Sequence, residues 1–120
     1  MSSAQRKGSN YERELACYIN TATGLEASRA PLSGGGLVDM PAICDIIGTP
    51  GLFIEAKRVE RLNSRRALEQ AERNATESYA PEHPVVIERR NYERTGDSLV
   101  HMRLDDFLEL YKHYLKNTHG

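Results

Sequence analysis

The hydrophobic residues near the N-terminus recur at helical spacing and predict an amphipathic helix that ends near residue 22. Ser9 or Asn10 is suited to cap the start of this helix, and Gly24 is suited to end it. Residues 1–9 are polar, so we expect them to be flexible. The apolar stripe consists of Tyr11, Leu15, Tyr18, Ile19 and Ala22.

Short apolar runs bounded by turn residues predict strands in the middle of the chain. Residues 25–29 form a candidate short strand, and residues 43–48 read as a buried strand. The turn sequence Thr-Pro-Gly leads into another strand over residues 52–59. Two strands joined by three turn residues predict a hairpin. Along its second strand we assign Leu52, Ile54 and Ala56 to the core and Phe53, Glu55 and Lys57 to the other face.

The sequence Pro-Leu-Ser-Gly-Gly-Gly over residues 31–36 predicts a flexible loop. It is either a segment that a ligand orders or a simple linker. Farther along, Asn63 or Ser64 is suited to cap a helix over residues 65–79. The narrow apolar stripe of that helix consists of Leu68, Ala71, Ala75 and Tyr79.

The last third of the chain predicts two strands and a C-terminal helix. The β-branched run at 85–89 and the run at 99–103 are the strands. We expect the apolar residues of the C-terminal helix to pack in the core, and a dimer interface is the alternative. The order helix, strands, helix, strand, strand, helix predicts one three-layer α/β/α domain around a mixed sheet. The apolar residues of the last helix are Leu104, Phe107, Leu108, Tyr111, Tyr114 and Leu115.

Composition makes the chain an ordinary globular domain and adds a local bias in charge. The 120 residues are 39% hydrophobic and 28% charged, with a net charge of −1. We expect a cytoplasmic protein without a membrane span, in which Cys17 and Cys44 are reduced and buried. The basic residues concentrated in a short span, from the end of the hairpin into the following helix, give a modest electrostatic footprint for a polyanion. They are Lys57, Arg58, Arg61, Arg65, Arg66 and Arg73.

Two carboxylates and a lysine on the hairpin predict a metal site. Asp45 opens an apolar strand, and Glu55 and Lys57 project from one face of the next strand. Such carboxylates, with the backbone carbonyl of Ala56 as a further ligand, suit Mg²⁺, which activates water for phosphodiester cleavage. The lysine is suited to orient the nucleophile or stabilise the transition state. The alternative is a solvated aspartate beside a same-face salt bridge of little energetic value.

The first helix offers a third acid, and its periodicity leaves Glu12 and Glu14 equally placed. The sequence Arg-Lys-Gly-Ser-Asn-Tyr-Glu-Arg-Glu-Leu at residues 6–15 resembles the N-terminal signature of archaeal-type Holliday-junction resolvases. Asp45 and the Glu-Ala-Lys at residues 55–57 resemble the PD-(D/E)xK nuclease motif of the same superfamily. The resemblance implies a restriction-endonuclease-like fold, with Glu12, Asp45 and Glu55 as catalytic acids and metal ligands and Lys57 as the catalytic lysine.

The chain departs from the family's pattern at several points. Cys44 stands where the motif has a proline, and Asp39 competes with Asp45 as the ligand. The loop before Asp45 is longer, and residues after about 98 do not follow the resolvases. Gln70 matches a glutamine of related nucleases. The side chains that we expect to contact DNA are Lys7, Arg13, Arg29, Ser33, Arg58, Arg61, Arg65, Arg66 and Gln70.

These observations favour a DNA endonuclease that uses Mg²⁺, with Mn²⁺ as a substitute, and cuts four-way junctions. A junction has two symmetric scissile strands, so such an enzyme is expected to act as a homodimer. The rivals are a nicking or restriction-like nuclease of phages or mobile elements acting on duplex DNA, a non-catalytic DNA-binding module on the same fold, and an RNA-directed nuclease.

Overall fold

The computed structural model describes residues 2–31 and 44–119, and side chains of all of these except His119. Ser33, Asp39 and the triple glycine lie outside the described residues. A single 3₁₀ turn at Thr95–Asp97 precedes the last strand. The helices are α1 (Ser3–Thr23), α2 (Ser64–Glu77) and α3 (Leu104–His119), and the strands are β1 (Ser28–Arg29), β2 (Ile46–Ile47), β3 (Leu52–Arg58), β4 (His83–Arg89) and β5 (Leu99–His101).

The described strands form one mixed sheet in the order β1-β2-β3-β4-β5. The predicted hairpin is confirmed, because β2 and β3 pair antiparallel with Ile46 opposite Ile54. Strands β3 and β4 are parallel, as expected of strands that a helix, here α2, connects. The other neighbours pair antiparallel. The sheet is therefore the mixed one that the sequence predicted.

Helices α1 and α2 cover opposite faces of this sheet. Consecutive residues of β4 show the alternation, because Val85 packs in the core under α1 and Val86 packs against α2. The sequence assigned only one face of β3 to the core, but Phe53 and Glu55 on the other face are buried as well. The larger core comprises Tyr11, Leu15, Ala16, Ala27, Ile46, Ile54, Val85 and Ile87, and the smaller comprises Leu68, Ala71 and Val86.

The predicted start of the first helix is wrong, because α1 begins at Ser3. The polar residues ahead of Tyr11 form a capping box. The backbone N–H of Gln5 donates to Ser2 Oγ at 3.1 Å, and the backbone N–H of Ser2 donates to Gln5 Oε1 at 2.7 Å. Residues 3–9, expected to be flexible, are thus helical. Cys17 on the same helix is exposed, not buried as expected, and neither cysteine forms a disulfide.

Two further predictions about apolar residues are wrong. Helix α2 ends at Glu77, and Tyr79 adopts a positive φ of 54° with its side chain almost fully in solvent. Helix α3 does not pack its apolar residues into the core, because all of those that the sequence assigned there are exposed at its surface. None of the helices in the described part of the chain is long and apolar enough to cross a membrane.

Candidate active site

Asp45 is held by backbone hydrogen bonds to the strands on both sides of it. Its N–H donates to the carbonyl of Ile54 at 2.8 Å, and its carbonyl accepts from the N–H of Ala30 at 2.8 Å. Its side-chain Oδ2 accepts from the N–H of Ala56 at 2.8 Å. These bonds fix both the position and the direction of the carboxylate, which lies beside Glu55 across the hairpin.

Glu55 is buried next to Asp45, with only 8% of its surface exposed. Burial, the neighbouring Asp45 carboxylate and a hydrogen bond with it together raise the pKa of Glu55 to about 8, and burial is the largest cause. Asn74 and the Lys57 ammonium act in the opposite direction. Two adjacent carboxyl groups with too little positive charge around them, offering only oxygen atoms, are a donor set that fits a divalent cation.

Asn74 is a site residue that sequence reasoning missed. Its Nδ2 donates to Glu55 Oε1 at 3.1 Å. Gln70 donates to Asn74 Oδ1 at 2.9 Å, and Arg73 donates to Gln70 Oε1 at 2.7 Å. Gln70 therefore connects to Glu55 through Asn74 and does not itself contact the carboxylate. The available signal was a polar side chain between Ala71 and Ala75 on the buried stripe of α2, where it requires a partner.

Glu12 approaches the site from α1, and its carboxylate is already paired. It accepts a hydrogen bond from Arg29 Nε, while Arg29 Nη2 donates to Ser9 Oγ at 2.9 Å. Burial raises the pKa of Glu12, the Arg29 hydrogen bond opposes this, and the nearby Asp45 carboxylate adds to it. Glu14 instead pairs with Arg89 Nη2 at 3.5 Å. Of the two acids that periodicity left open, Glu12 is the one in electrostatic contact with Asp45.

The structure brings together two of the three acids that the sequence predicted as metal ligands. Asp45 and Glu55 are adjacent, and Glu12 is turned toward Arg29. Within residues 2–31 and 44–119, no three His, Cys, Asp or Glu side chains are arranged to bind one metal ion. Ala56 contributes a backbone N–H to Asp45. Its carbonyl as a metal ligand stays a prediction.

Lys57 borders an open groove between β3 and α2. It is half-buried on the same face as Glu55. The groove has a volume of about 390 Å³, and Lys57 shares its lining with Arg66, Gln70 and Arg73. Three cationic side chains therefore line this groove, which makes it a favourable surface for a phosphate backbone.

The other predicted DNA contacts are spread over the surface. Arg58 is half-buried, and its Nε has no hydrogen-bond acceptor among the described residues. Arg13 donates to Asn10 Oδ1 at 3.4 Å, a long contact. Arg29 is engaged by Glu12, and Ser33 lies outside the described residues. Those that stand exposed are Lys7, Arg13, Arg61, Arg65, Arg66 and Gln70.

Comparison with known proteins identifies the superfamily. The chain matches the family described as Phage putative PDDEXK endonuclease over residues 3–119. No curated protein and no solved structure matches it. PDDEXK nucleases typically use divalent metals and act on DNA. The helices and the five-stranded mixed sheet of the described residues are compatible with their restriction-endonuclease-like fold. Because the match covers almost the whole chain, the protein belongs to this family of phage PDDEXK endonucleases.

Proposed function

We propose that this endonuclease hydrolyses phosphodiester bonds at DNA four-way junctions and that it uses Mg²⁺, for which Mn²⁺ substitutes. The observation that carries the proposal is the adjacent pair of half-buried Asp45 and buried Glu55 beside Lys57. Junction selectivity is supported by the resolvase-like sequence at residues 6–15. A symmetric junction requires two cuts, which a homodimer with two sites supplies.

Each residue of the site has a distinct role in this proposal. Asp45 and Glu55 hold the cation, with the carbonyl of Ala56 as a further ligand. When bound, the cation lowers the pKa of water and neutralises charge on the phosphoryl oxygens. The ammonium of Lys57 orients the nucleophile or stabilises the transition state, and Asn74 keeps the Glu55 carboxylate in place.

Glu12 and Arg29 act as an exchangeable pair in this proposal. Glu12 would serve as a further ligand if it were released from Arg29, and Arg29 would then be available to a phosphate group. The remaining cations extend the binding surface along the groove and over α1. The proposed contacts to the DNA backbone are Lys7, Arg13, Arg29, Ser33, Arg58, Arg61, Arg65, Arg66 and Gln70.

Substitution Asp45→Asn tests the catalytic site. We expect junction cleavage in Mg²⁺ to fall by about 100-fold or more, because a charged ligand of the cation is lost. Junction binding in a gel-shift assay is expected to persist or strengthen, since a charge that repels phosphate is removed. The matched control is Asp97→Asn, which removes an exposed acid outside the site and should leave cleavage unchanged.

The outcomes separate the rival functions. If Asp45→Asn cleaves DNA as fast as the wild-type chain, the assignment of the catalytic site is wrong. If the wild-type chain binds DNA but does not cleave it in Mg²⁺ or Mn²⁺, the protein is a non-catalytic DNA-binding module. Equal cleavage of a synthetic four-way junction and its matched linear duplex would contradict junction selectivity and favour a restriction-like or nicking enzyme. Preferential cleavage of the same structures made from RNA would contradict a DNA-directed role.

A further inference from the structure

Helix α3 carries an apolar stripe that faces solvent. Six large hydrophobic side chains recur along the helix at intervals of three and four residues, so they lie on one side. Adjacent aromatic rings stack along it, with centroids 6.1 Å apart for Phe107 and Tyr111 and again for Tyr111 and Tyr114. The exposed fractions are 68% for Leu104, 48% for Phe107, 47% for Leu108, 45% for Tyr111, 60% for Tyr114 and 36% for Leu115.

Polar contacts at and just ahead of its first turn connect α3 to the rest of the protein. Asp106 Oδ1 lies 3.2 Å from His83 Nδ1 at the start of β4. Arg103, just ahead of the helix, donates two hydrogen bonds of 2.9 Å to Glu72 on α2. Asp106 lies on the side of the helix roughly opposite Leu108. Within the described residues, α3 is thus held by polar contacts at and just ahead of its first turn, and its apolar stripe is left exposed.

The spacing of the stripe suits a partner helix. Leu104, Leu108, Tyr111 and Leu115 follow steps of four, three and four residues, the pattern by which two helices pack side by side. In an antiparallel pair of identical helices, Leu104 would face Leu115 of the second copy, and Leu108 would face Tyr111. Each of these four positions then meets an apolar residue.

The charges beside the stripe select the orientation. Asp105 and Glu109 precede Lys112 and Lys116 along one flank of the stripe. Antiparallel packing places the acidic half of one helix beside the basic half of the other, whereas parallel packing aligns like halves. Opposed helix dipoles favour the same arrangement. The charges of α3 are therefore complementary to those of a second copy of α3.

We propose that two copies of this chain associate through antiparallel packing of α3 on α3. The contact is isologous, because the same stripe serves both partners and closes the assembly at two chains. The proposal extends the homodimer that junction cleavage requires. Only the role of the dimer in cutting both strands of a junction rests on the proposed function. The association itself does not, because an enzyme that cuts duplex DNA can assemble in the same way.

The mass of the assembly in solution tests the proposal. We expect the wild-type chain to show twice the chain mass by light scattering after size exclusion, and Leu108→Glu to show the mass of one chain. Two charge variants sharpen the test. D105K/E109K makes the flank wholly basic, and K112E/K116E makes it wholly acidic, so each alone should be monomeric. Mixed in equal amounts, the two variants should recover the doubled mass.

The control is E26K/E77K, which makes the same change in net charge as D105K/E109K at exposed positions on other parts of the chain and should retain the doubled mass. Circular dichroism should show unchanged helix content in every variant. A wild-type chain with the mass of one chain, or a doubled mass that persists in Leu108→Glu and in each charge variant alone, overturns the proposal. A wild-type chain that has the doubled mass but does not prefer junctions over duplex DNA would contradict the proposed function and leave the proposed dimer standing.

Discussion

The arrangement of the two hairpin acids favours the protonated form of Glu55 in the metal-free protein. Asp45 receives a hydrogen bond from a backbone N–H, and Glu55 is buried beside it with Asn74 as its amide partner. Because burial and the neighbouring carboxylate both raise the pKa of Glu55, its charged form is unfavourable in the metal-free protein. A divalent cation reverses this preference by supplying the missing positive charge.

The raised pKa of Glu55 predicts that the metal-free protein loses stability as pH rises. The folded chain retains the Glu55 proton up to about 8, whereas the unfolded chain releases it near 4.5. The folded state therefore binds more protons between these values, and the free energy of unfolding falls with increasing pH in that window. Urea unfolding in the presence of a chelator, at a series of pH values from about 5 to 8, measures this slope.

Glu55→Gln provides the control for that measurement. The amide does not titrate, so the part of the slope due to Glu55 should disappear while the contributions of other groups remain. Added Mg²⁺ should also flatten the slope in the wild-type chain, because it stabilises the charged carboxylates. An unchanged slope in Glu55→Gln would contradict the assignment of the raised pKa to Glu55.

Sequence reasoning reached the charged residues of the site more readily than their partners. Asp45, Glu55 and Lys57 were readable because a hairpin fixes which side chains share a face. Asn74 was missed because its role depends on where α2 lies over the sheet, a distance that periodicity does not specify. The pairing of Glu12 with Arg29 depends in the same way on how α1 packs against β1.

At the scale of elements, the turn that connects β2 to β3 contains two glycines with positive φ. Gly48 has a φ of 84°, and a Cβ added there would lie 2.7 Å from the carbonyl oxygen of Glu26 and 3.0 Å from Cα of Ala27. Gly51, at the other end of the same turn, has a φ of 87° but open space where a Cβ would stand. The two glycines thus share a backbone conformation and differ in their surroundings.

This difference predicts that Gly48→Ala is more destabilising than Gly51→Ala. Left-handed backbone alone costs an alanine about 1 kcal/mol, which is the expected effect at Gly51. At Gly48 the contact with backbone atoms adds to this strain, and we expect a loss of about 3 kcal/mol. Chemical denaturation of the two variants measures the difference. Equal losses would show that the segment around Glu26 moves aside without cost.

The elements themselves were largely predictable, and the errors have physical causes. The hairpin, α2 and β4 were expected because their hydrophobic periodicity agrees with their packing. The start of α1 was misplaced because a capping box provides hydrogen bonds for backbone N–H groups at the first turn, which allows a segment of polar residues to be helical. The burial of α3 was predicted wrongly because periodicity identifies an apolar stripe without specifying whether its own chain covers it.

At the scale of the whole molecule, DNA affinity has to come from local charge, since the net charge is −1. Arg66 lines the groove beside Lys57, whereas Arg94 is exposed in the connection between β4 and β5. We expect Arg66→Ala to weaken DNA binding similarly for all sequences and to reduce the salt dependence by about one phosphate contact. Arg94→Ala should leave both quantities unchanged.

Fluorescence anisotropy with a labelled duplex measures both effects over a range of salt concentrations, in the Asp45→Asn background so that no cleavage occurs. The slope of log affinity against log salt gives the number of phosphate contacts. An equal loss in Arg66→Ala and Arg94→Ala would indicate that DNA is attracted by overall charge and not by the groove.

The order of strands across the sheet follows their order along the chain. No described strand has to insert between two that are already paired, so the sheet can lengthen at one edge while the ribosome is still adding residues. The hairpin with Asp45 and Glu55 is available early, β4 joins once α2 has emerged, and β5 comes last. Helix α3 follows β5 directly, so its exposed stripe leaves the ribosome only after the rest of the sheet can have formed. Premature pairing of unfinished chains through that stripe is thereby limited by the order of synthesis.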